Sequence, residues 1–167
     1  VLEEILIQKG MPYQVIGGQR FYDRKEIRDL LSYLKLVYNP NDRVSLRRVI
    51  NMPKRGIGET TVERFFTFIE DEQISTVEAF SRVGETPGLT SRAVNALTGF
   101  GQFLKAMLAL GETEPISLLT KRIMEESGYL ESLRQEGTVE AESRMENLNE
   151  FLSITTEFEK ESDDQTL

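Results

Sequence analysis

Apolar residues recur at helical spacing along most of this chain, and that periodicity constrains its fold more than any other feature. The clearest example is a predicted buried stripe whose members follow one another at intervals of three, one, three and four residues: Ile27, Leu30, Leu31, Leu34 and Tyr38. Further amphipathic stretches are separated by proline, asparagine and glycine, which commonly end helices. The pattern predicts an all-α domain of about eight helices. A chain of 167 residues is long enough to bury one hydrophobic core.

Start and stop signals locate the predicted helices. Asp23 and Glu26 predict an N-cap and capping box for a helix that ends at 39–41. Asp42 and Ser75 are predicted N-caps of two later helices. Other predicted helices cover about 1–9, 59–72, 90–110, 116–127 and 139–159, with a turn at 129–134 and a short strand at 13–16.

Composition excludes several kinds of active site. Neither cysteine nor histidine occurs, which removes thiolate chemistry, the commonest general base and the commonest metal ligand. There is no GxxxxGK[ST] phosphate loop and no run of 18 apolar residues, which predicts no membrane span. A carboxylate enzyme would need two carboxyl groups in one concave site with their pKa values pushed apart. No such pair stands out, so the sequence predicts no catalytic residue and no metal site.

Charge is distributed unevenly along the chain. The net charge of −8 argues against nucleic-acid binding by the surface as a whole. Residues 1–111 hold 15 basic and 13 acidic side chains, whereas residues 112–167 hold 5 basic and 15 acidic ones. The densest positive segment contains five cations and no acid: Arg43, Arg47, Arg48, Lys54 and Arg55.

The segment MPKRGIGETT (52–61) lies in this positive region, between two predicted helices. Its glycines permit a tight turn and leave backbone amides unshielded. The free N–H groups at the start of the following helix favour a phosphate. The predicted phosphate-binding residues are Lys54, Arg55, Gly56, Ile57, Gly58, Thr60 and Thr61, with Arg47 and Arg48 nearby. Contacts of this kind hold a nucleic-acid backbone without reading sequence.

Structural interpretations exist for the same residues. Gly-x-Gly before a helix is often only a turn, and Glu59 and Glu63 would satisfy the helix dipole by themselves. Three other groups have plainer explanations: Gly17 and Gly18 as a turn, Arg24, Lys25 and Arg28 as a solvated helix face, and Phe65, Phe66 and Phe68 as core.

Two blocks, GMPYQVIGGQRFYDRKEIRDLLSYLKLVYNPND (10–42) and RRVINMPKRGIGETTVERF (47–65), resemble the accessory 2B subdomain of the UvrD/PcrA/Rep family of superfamily 1 DNA helicases. The PcrA branch is the nearest likeness. A third segment, SRMENLNEF (143–151), resembles the family's Arg-x-Glu-Asn-Leu-x-Glu segment. The family motif residues of the first block are Gly17, Gly18, Phe21, Arg24, Glu26, Ile27 and Asp29. Those of the second are Asn51, Pro53, Arg55, Gly56, Ile57 and Gly58.

The resemblance implies an accessory role. In such a helicase two RecA-like motor domains bind ATP and Mg²⁺, and the helical 2B subdomain swivels and contacts the duplex ahead of the fork through helix–hairpin–helix elements. Residues 1–18 would then be a helix–strand remnant of the motor domain with its hinge, and residues 19–167 the 2B subdomain. The chain itself would bind no cofactor and catalyse no reaction.

The resemblance also implies the setting. The expected partners are duplex DNA, the other helicase domains and a replication initiator or repair protein. The expected state is a monomer in the bacterial cytoplasm at the nucleoid. An alternative is a protein-docking or autoinhibitory module with little DNA affinity of its own, which the acidic C-terminal third favours.

Overall fold

The computed structural model describes residues 18–166, which form nine α-helices and one short 3-10 helix with no β-strand among them. The predicted all-α class is therefore confirmed. The helices are α1 Gly18–Asp23, α2 Lys25–Tyr38, α3 Arg43–Val49, α4 Glu59–Glu72, α5 Thr76–Ser81, α6 Ser91–Thr113, α7 Ile116–Glu126, α8 Tyr129–Glu136 and α9 Val139–Thr166, with the 3-10 helix at Val83–Glu85. The predicted helix at 1–9 and strand at 13–16 lie outside the described residues.

Helix α2 forms the centre of the domain. It packs against α3, α6, α7 and α9, and Ile27, Leu31, Leu34 and Leu36 are completely buried. A helix surrounded on several sides must be apolar over more than one stripe. The predicted buried stripe is thus confirmed from Ile27 to Leu34, and Leu36 extends it to a second face. The prediction is wrong for its last member, Tyr38, which is 36% exposed because it is the final residue of the helix.

The start of α2 differs from the prediction. Asp23 is the last residue of α1, and the N-cap of α2 is Arg24, which makes no side-chain capping hydrogen bond. The predicted capping box of Asp23 and Glu26 is therefore wrong. Glu26 is 5% exposed and accepts a hydrogen bond from Asn147 of α9 at 3.0 Å. Glu26 therefore hydrogen-bonds to a residue of another helix instead of capping the start of its own.

Two of the predicted N-caps are confirmed. The side chain of Asp42 accepts a hydrogen bond from the backbone N–H of Ser45 at 3.1 Å, and Ser75 does the same for Glu78 at 3.1 Å. On α3, Leu46 and Val49 enter the core, whereas Val44 is 82% exposed.

Helix α6 is long and packs one face into the core through Leu97, Phe100, Leu104 and Met107. A Cβ at Gly101 would lie 2.9 Å from the Phe80 side chain, so glycine lets α5 approach this helix closely. By length and composition α6 alone, among the described residues, could span a membrane, with a mean hydropathy of 1.2. That is weak evidence for a span, because helices that contribute to the core of a soluble protein pass the same test.

The C-terminal helices close the domain. Residues 129–134, predicted as a turn, belong to helix α8, whose Tyr129, Leu130 and Leu133 are buried. Helix α9 packs against α2, α7 and α8 and runs to 166 rather than 159. Its Glu159 accepts hydrogen bonds from the backbone N–H and the hydroxyl of Ser117, which satisfies the first turn of α7 from another helix.

Candidate nucleic-acid interface

Residues 51–61, which we call the corner, join α3 to α4 and carry the predicted phosphate-binding segment. Gly58 is the N-cap of α4 and provides no side-chain capping hydrogen bond. Gly56 has a φ of +79°, a left-handed conformation that glycine adopts without strain. A Cβ at Gly56 or Gly58 would meet no heavy atom within 4 Å. The backbone here is therefore open to an approaching ligand.

Asn51 and Ile57 fix the path of the corner. The Oδ1 atom of Asn51 accepts hydrogen bonds from the backbone N–H of Arg55 at 2.7 Å and of Ile57 at 3.2 Å. The Ile57 side chain is 1% exposed and belongs to the core cluster. The buried Ile57 side chain between the two glycines and the hydrogen bonds from the backbone to Asn51 thus hold Gly56 and Gly58 at the surface.

The guanidinium of Arg55 points inward and ties the corner to the interior. Its carbon lies 4.9 Å from the centroid of the Phe100 ring, a cation–π distance. It donates four hydrogen bonds, to the carbonyl oxygens of Val49 at 2.7 Å, Ile50 at 3.1 Å and Ser127 at 2.9 Å, and to the Tyr33 hydroxyl at 2.6 Å. The Arg55 side chain, which was predicted to contact a phosphate, therefore binds the protein interior and stabilises the shape of the corner.

Tyr33 links Arg55 to the loop backbone. The side chain is buried, and burial raises the pKa of its hydroxyl, an effect that Arg55 partly offsets. The hydroxyl accepts from Arg55 and donates to the carbonyl oxygen of Met52. Because the hydroxyl is protonated in ordinary buffers, it can accept one hydrogen bond and donate another. An ionised phenolate could only accept.

The exposed side chains of the corner are those of Lys54, Glu59 and Thr60, while Thr61 is half-buried. Lys54 precedes the first open glycine by two residues, and the two threonines follow the second by two and three residues. The corner therefore offers a cation, hydroxyl groups and unshielded backbone amides along one short stretch of chain, which are the donors that a phosphate group accepts from.

Arg47 lies across the start of α4. Its Nη1 atom is 2.6 Å from Glu59 Oε1 and 2.7 Å from Glu63 Oε1, and its guanidinium carbon is 4.9 Å from the Phe66 ring centroid. The hydrogen bond from Arg47 lowers the pKa of the Glu63 carboxyl. Glu63 is therefore ionised at neutral pH, and the ion pairs with Glu59 and Glu63 compete with any incoming phosphate for Arg47.

Arg48 belongs to a second group of side chains, the Asp29 cluster, formed by Asp29, Lys25, Arg48 and Tyr129. Asp29 is 1% exposed. It accepts from Arg48 Nε at 2.8 Å, from Lys25 Nζ at 2.8 Å and from the Tyr129 hydroxyl at 2.6 Å. Burial, reinforced by the hydrogen bond to Asp29, raises the pKa of Tyr129. The carboxylate is thus balanced by two cations and a neutral donor.

The family motif residues around the start of α2 meet the C-terminal helix. Arg24 donates to Asn147 Oδ1 at 2.6 Å, and Asn147 donates to Glu26 as described. Phe21 is buried and Gly18 is the first residue of α1. Gly17 lies outside the described residues. The structure therefore brings Arg24 and Glu26 together with a residue of the third segment singled out in the sequence.

Sequence reasoning missed several residues of the three hydrogen-bond networks, which are centred on Arg55, Asp29 and Glu26. Lys25 was interpreted as part of a solvated helix face, and Tyr33, Ser127 and Tyr129 carried no signal beyond helical periodicity or a helix end. Asn147 was within the quoted segment but had no assigned role. Apart from the ion pair of Lys25 with Asp29, which has local i, i+4 spacing, their contacts in these networks join residues more than 15 positions apart, which no local pattern encodes. Within residues 18–166 no group of three or more His, Cys, Asp or Glu side chains is placed to hold a metal ion.

Known proteins similar to this chain are DNA helicases. A family model described as the UvrD-like helicase C-terminal domain matches residues 1–167. The chain is 41% identical to the ATP-dependent DNA helicase PcrA of Bacillus subtilis over all 167 residues. It is 40% identical to PcrA of Staphylococcus epidermidis and 39% identical to PcrA of Staphylococcus aureus, each over 160 residues or 96% of the chain. The chain spans 22% of the length of these relatives.

Proposed function

The chain belongs to the UvrD-like helicase C-terminal domain family, and from that membership we propose that residues 19–167 form the accessory 2B subdomain of an ATP-dependent DNA helicase. In this proposal residues 1–18 belong to the adjoining motor domain and hinge. ATP and Mg²⁺ bind to motor domains outside the chain. The subdomain contacts the duplex ahead of the fork and swivels to control 3'–5' unwinding in the bacterial cytoplasm.

The observation that supports a DNA contact is the open backbone of the corner. Gly56 and Gly58 are exposed, a Cβ at either would meet nothing within 4 Å, and Gly58 leaves the first amides of α4 without a side-chain cap. A phosphate oxygen is a natural acceptor for such amides. Lys54 adds a mobile positive charge, while Arg55 and Asn51 hold the loop in shape for this contact.

A contact of this kind is independent of base sequence. Backbone amides and a lysine recognise phosphate and not base edges, so the affinity arises from charge neutralisation and falls with salt. The net charge of −8 confines attraction to the positive region of the surface. We therefore propose weak binding by the chain alone, strengthened in a helicase where motor domains hold the DNA nearby.

Fluorescence anisotropy tests this function directly. The chain is titrated onto a labelled duplex with a single-stranded tail, and onto the tail alone, at two salt concentrations. Binding to the duplex that weakens in Lys54→Ala but not in Lys160→Ala supports the proposal. Lys160 is a suitable control because it is exposed and lies far from the corner. Its neighbour Glu159 contacts Ser117 at the start of α7, whereas the corner contacts Ser127 at the other end of that helix. No preference for the duplex, even at low salt, would contradict it.

The substitution Gly58→Ser provides a second test, which examines the backbone amides at the start of α4. Serine is a favourable N-cap residue, and its hydroxyl would accept a hydrogen bond from an amide in the first turn of α4. Stability should therefore be maintained while the amides become shielded and duplex affinity falls. A Gly58→Ser variant that binds the duplex as tightly as the unsubstituted chain would show that these amides do not touch DNA.

A second candidate function is protein docking, which the charge of the C-terminal third favours. Along α9 the side chains of Glu140, Glu142, Glu146 and Glu150 are exposed. A surface of this kind repels DNA and suits a basic partner, such as a replication initiator or repair protein. Both functions can coexist, because each ligand would bias the same swivel by binding one orientation more tightly than the other.

A further inference from the structure

The Asp29 cluster carries one more positive charge than its buried carboxylate requires. Asp29 is buried and negative, whereas Lys25 and Arg48 are both positive and each is 2.8 Å from one of its oxygens. One cation would balance the carboxylate, and Tyr129 already supplies a neutral third donor. The surplus charge faces solvent, since the Lys25 side chain is 52% exposed and that of Arg48 is 30% exposed.

Local helix stability does not account for Lys25. It is the first residue of α2, where a cation opposes the helix dipole. Its ion pair with Asp29 also has the less favourable order, with the cation N-terminal to the carboxylate at i, i+4. A lysine here therefore weakens the helix start while it raises the positive potential at the surface.

The surplus charge lies beside the corner. Lys25 Nζ is 3.4 Å from the Sδ atom of Met52, and Lys54 follows Met52 by two residues, a separation of at most about 7 Å along the chain. Both exposed lysines are thus near Met52, Lys25 through a direct contact and Lys54 through the chain. Arg48 projects to the Asp29 cluster from α3, the helix that leads into the corner.

We propose that Lys25, together with Arg48, binds a second phosphate of the same DNA duplex whose first phosphate lies on the corner. This inference rests on the proposed function and extends it by one site. Asp29 accepts one hydrogen bond from each cation, and Met52 Sδ accepts a second from Lys25. The third N–H of the Lys25 ammonium and the other N–H groups of the Arg48 guanidinium can then donate to a ligand. A phosphodiester oxygen accepts from such a pair, and the second contact fixes the orientation of the duplex on the domain, which one contact cannot do.

The test compares two substitutions of the same residue. Lys25→Gln removes the charge but keeps a donor for Asp29, and Lys25→Arg keeps both; Lys160→Gln is the matched control. Each variant is titrated onto the labelled tailed duplex by anisotropy beside Lys54→Ala, and its unfolding by urea is measured. Loss of one phosphate contact should weaken binding about 15-fold at 50 mM salt and about 4-fold at 200 mM salt, because each contact contributes about 0.9 to the salt slope.

The possible outcomes separate the two proposals. Weaker binding and a shallower salt slope for Lys25→Gln, with both restored in Lys25→Arg, support the second phosphate site. Unchanged duplex binding by Lys25→Gln while Lys54→Ala binds weakly overturns this inference and leaves the proposed function standing. An unchanged salt slope with a loss of unfolding free energy assigns Lys25 a structural role and also overturns it. Failure of the unsubstituted chain to bind the duplex overturns both.

Discussion

Arg55 Nη2 donates a hydrogen bond to the carbonyl oxygen of Ser127 at 2.9 Å, which joins two residues 72 positions apart. Ser127 directly follows the last residue of α7, and Arg55 is in the corner. The contact makes the shape of the corner depend on the C-terminal half of the domain. Substitutions in the corner and in the networks around Arg55, Asp29 and Glu26 should therefore separate stability from DNA binding.

Arg55→Ala should unfold more easily than the unsubstituted chain by roughly 3 kcal/mol, because it leaves buried carbonyl oxygens and the Tyr33 hydroxyl without a donor. Arg55→Lys should recover little, since an ammonium lacks the planar fork that reaches these acceptors. Urea titration gives the free energy of unfolding. Lys54→Ala, at an exposed position two residues from Met52, should stay within about 0.5 kcal/mol. Equal effects of the two alanine variants would contradict this division of roles.

Asn51→Ala and Asn51→Asp should have opposite profiles. Alanine removes the acceptor of two corner amides and should cost about 1–3 kcal/mol of unfolding free energy. Aspartate keeps an acceptor for both amides, so stability should be retained, while its negative charge should weaken duplex binding. Urea titration and anisotropy are measured on the same preparations. Tight duplex binding by Asn51→Asp would place the DNA away from the corner.

Glu59→Gln should bind the duplex about two- to five-fold more tightly, an effect of the size expected for one charge at a helix N-terminus. The change removes a carboxylate from the first turn of α4 and releases one of the two partners of Arg47. Anisotropy at low salt measures it. Glu70→Gln, also exposed but near the other end of α4, is the matched control and should not change affinity. An identical gain in both variants would indicate only an effect of net charge.

Stability should decline at alkaline pH through the buried tyrosines. The pKa values of Tyr33 and Tyr129 are raised in the folded chain, mainly by burial. Their contribution is complete below the ordinary tyrosine pKa of about 10 and is lost as pH rises above that value. Urea titrations at pH 8 and at successive values above 10 should show the decline. It should be smaller in Tyr129→Phe and unchanged in Tyr38→Phe, which alters a more exposed side chain.

Asn147 should be energetically coupled to Arg24. A double-mutant cycle of Arg24→Ala and Asn147→Ala should give an interaction energy of about 0.5–3 kcal/mol, because the two side chains share a hydrogen bond in a network that includes buried Glu26. Unfolding free energies of the four chains provide the cycle. A cycle with Arg20→Ala, an exposed cation of α1, is the control and should give additive effects. Additivity in both cycles would show that the Arg24–Asn147 contact contributes nothing.

Much of the fold followed from local rules. The stripe of Ile27, Leu30 and Leu31 marked the central helix because only a helix brings residues at those intervals to one side. Asp42 and Ser75 marked two helix starts because their side chains cap amides three residues away. The prediction at Asp23 failed because α1 occupies that position, and because Glu26 accepts a hydrogen bond from Asn147 of α9, a tertiary contact that local rules do not include.

The sequence by itself determined the all-α class, the main helices and the location of a positive, glycine-rich turn, since these depend on residues within a few positions of one another. Only the tertiary structure decided what each cation of that region does. Arg55 turns inward because four acceptors converge on it, two of them, on Tyr33 and Ser127, from distant parts of the chain. Arg48 and Lys25 share a carboxylate because α2 and α3 pack together, and Lys54 remains exposed. Burial of the core brings those partners together. The arrangement is the free-energy minimum of the whole chain, which no short stretch of sequence specifies.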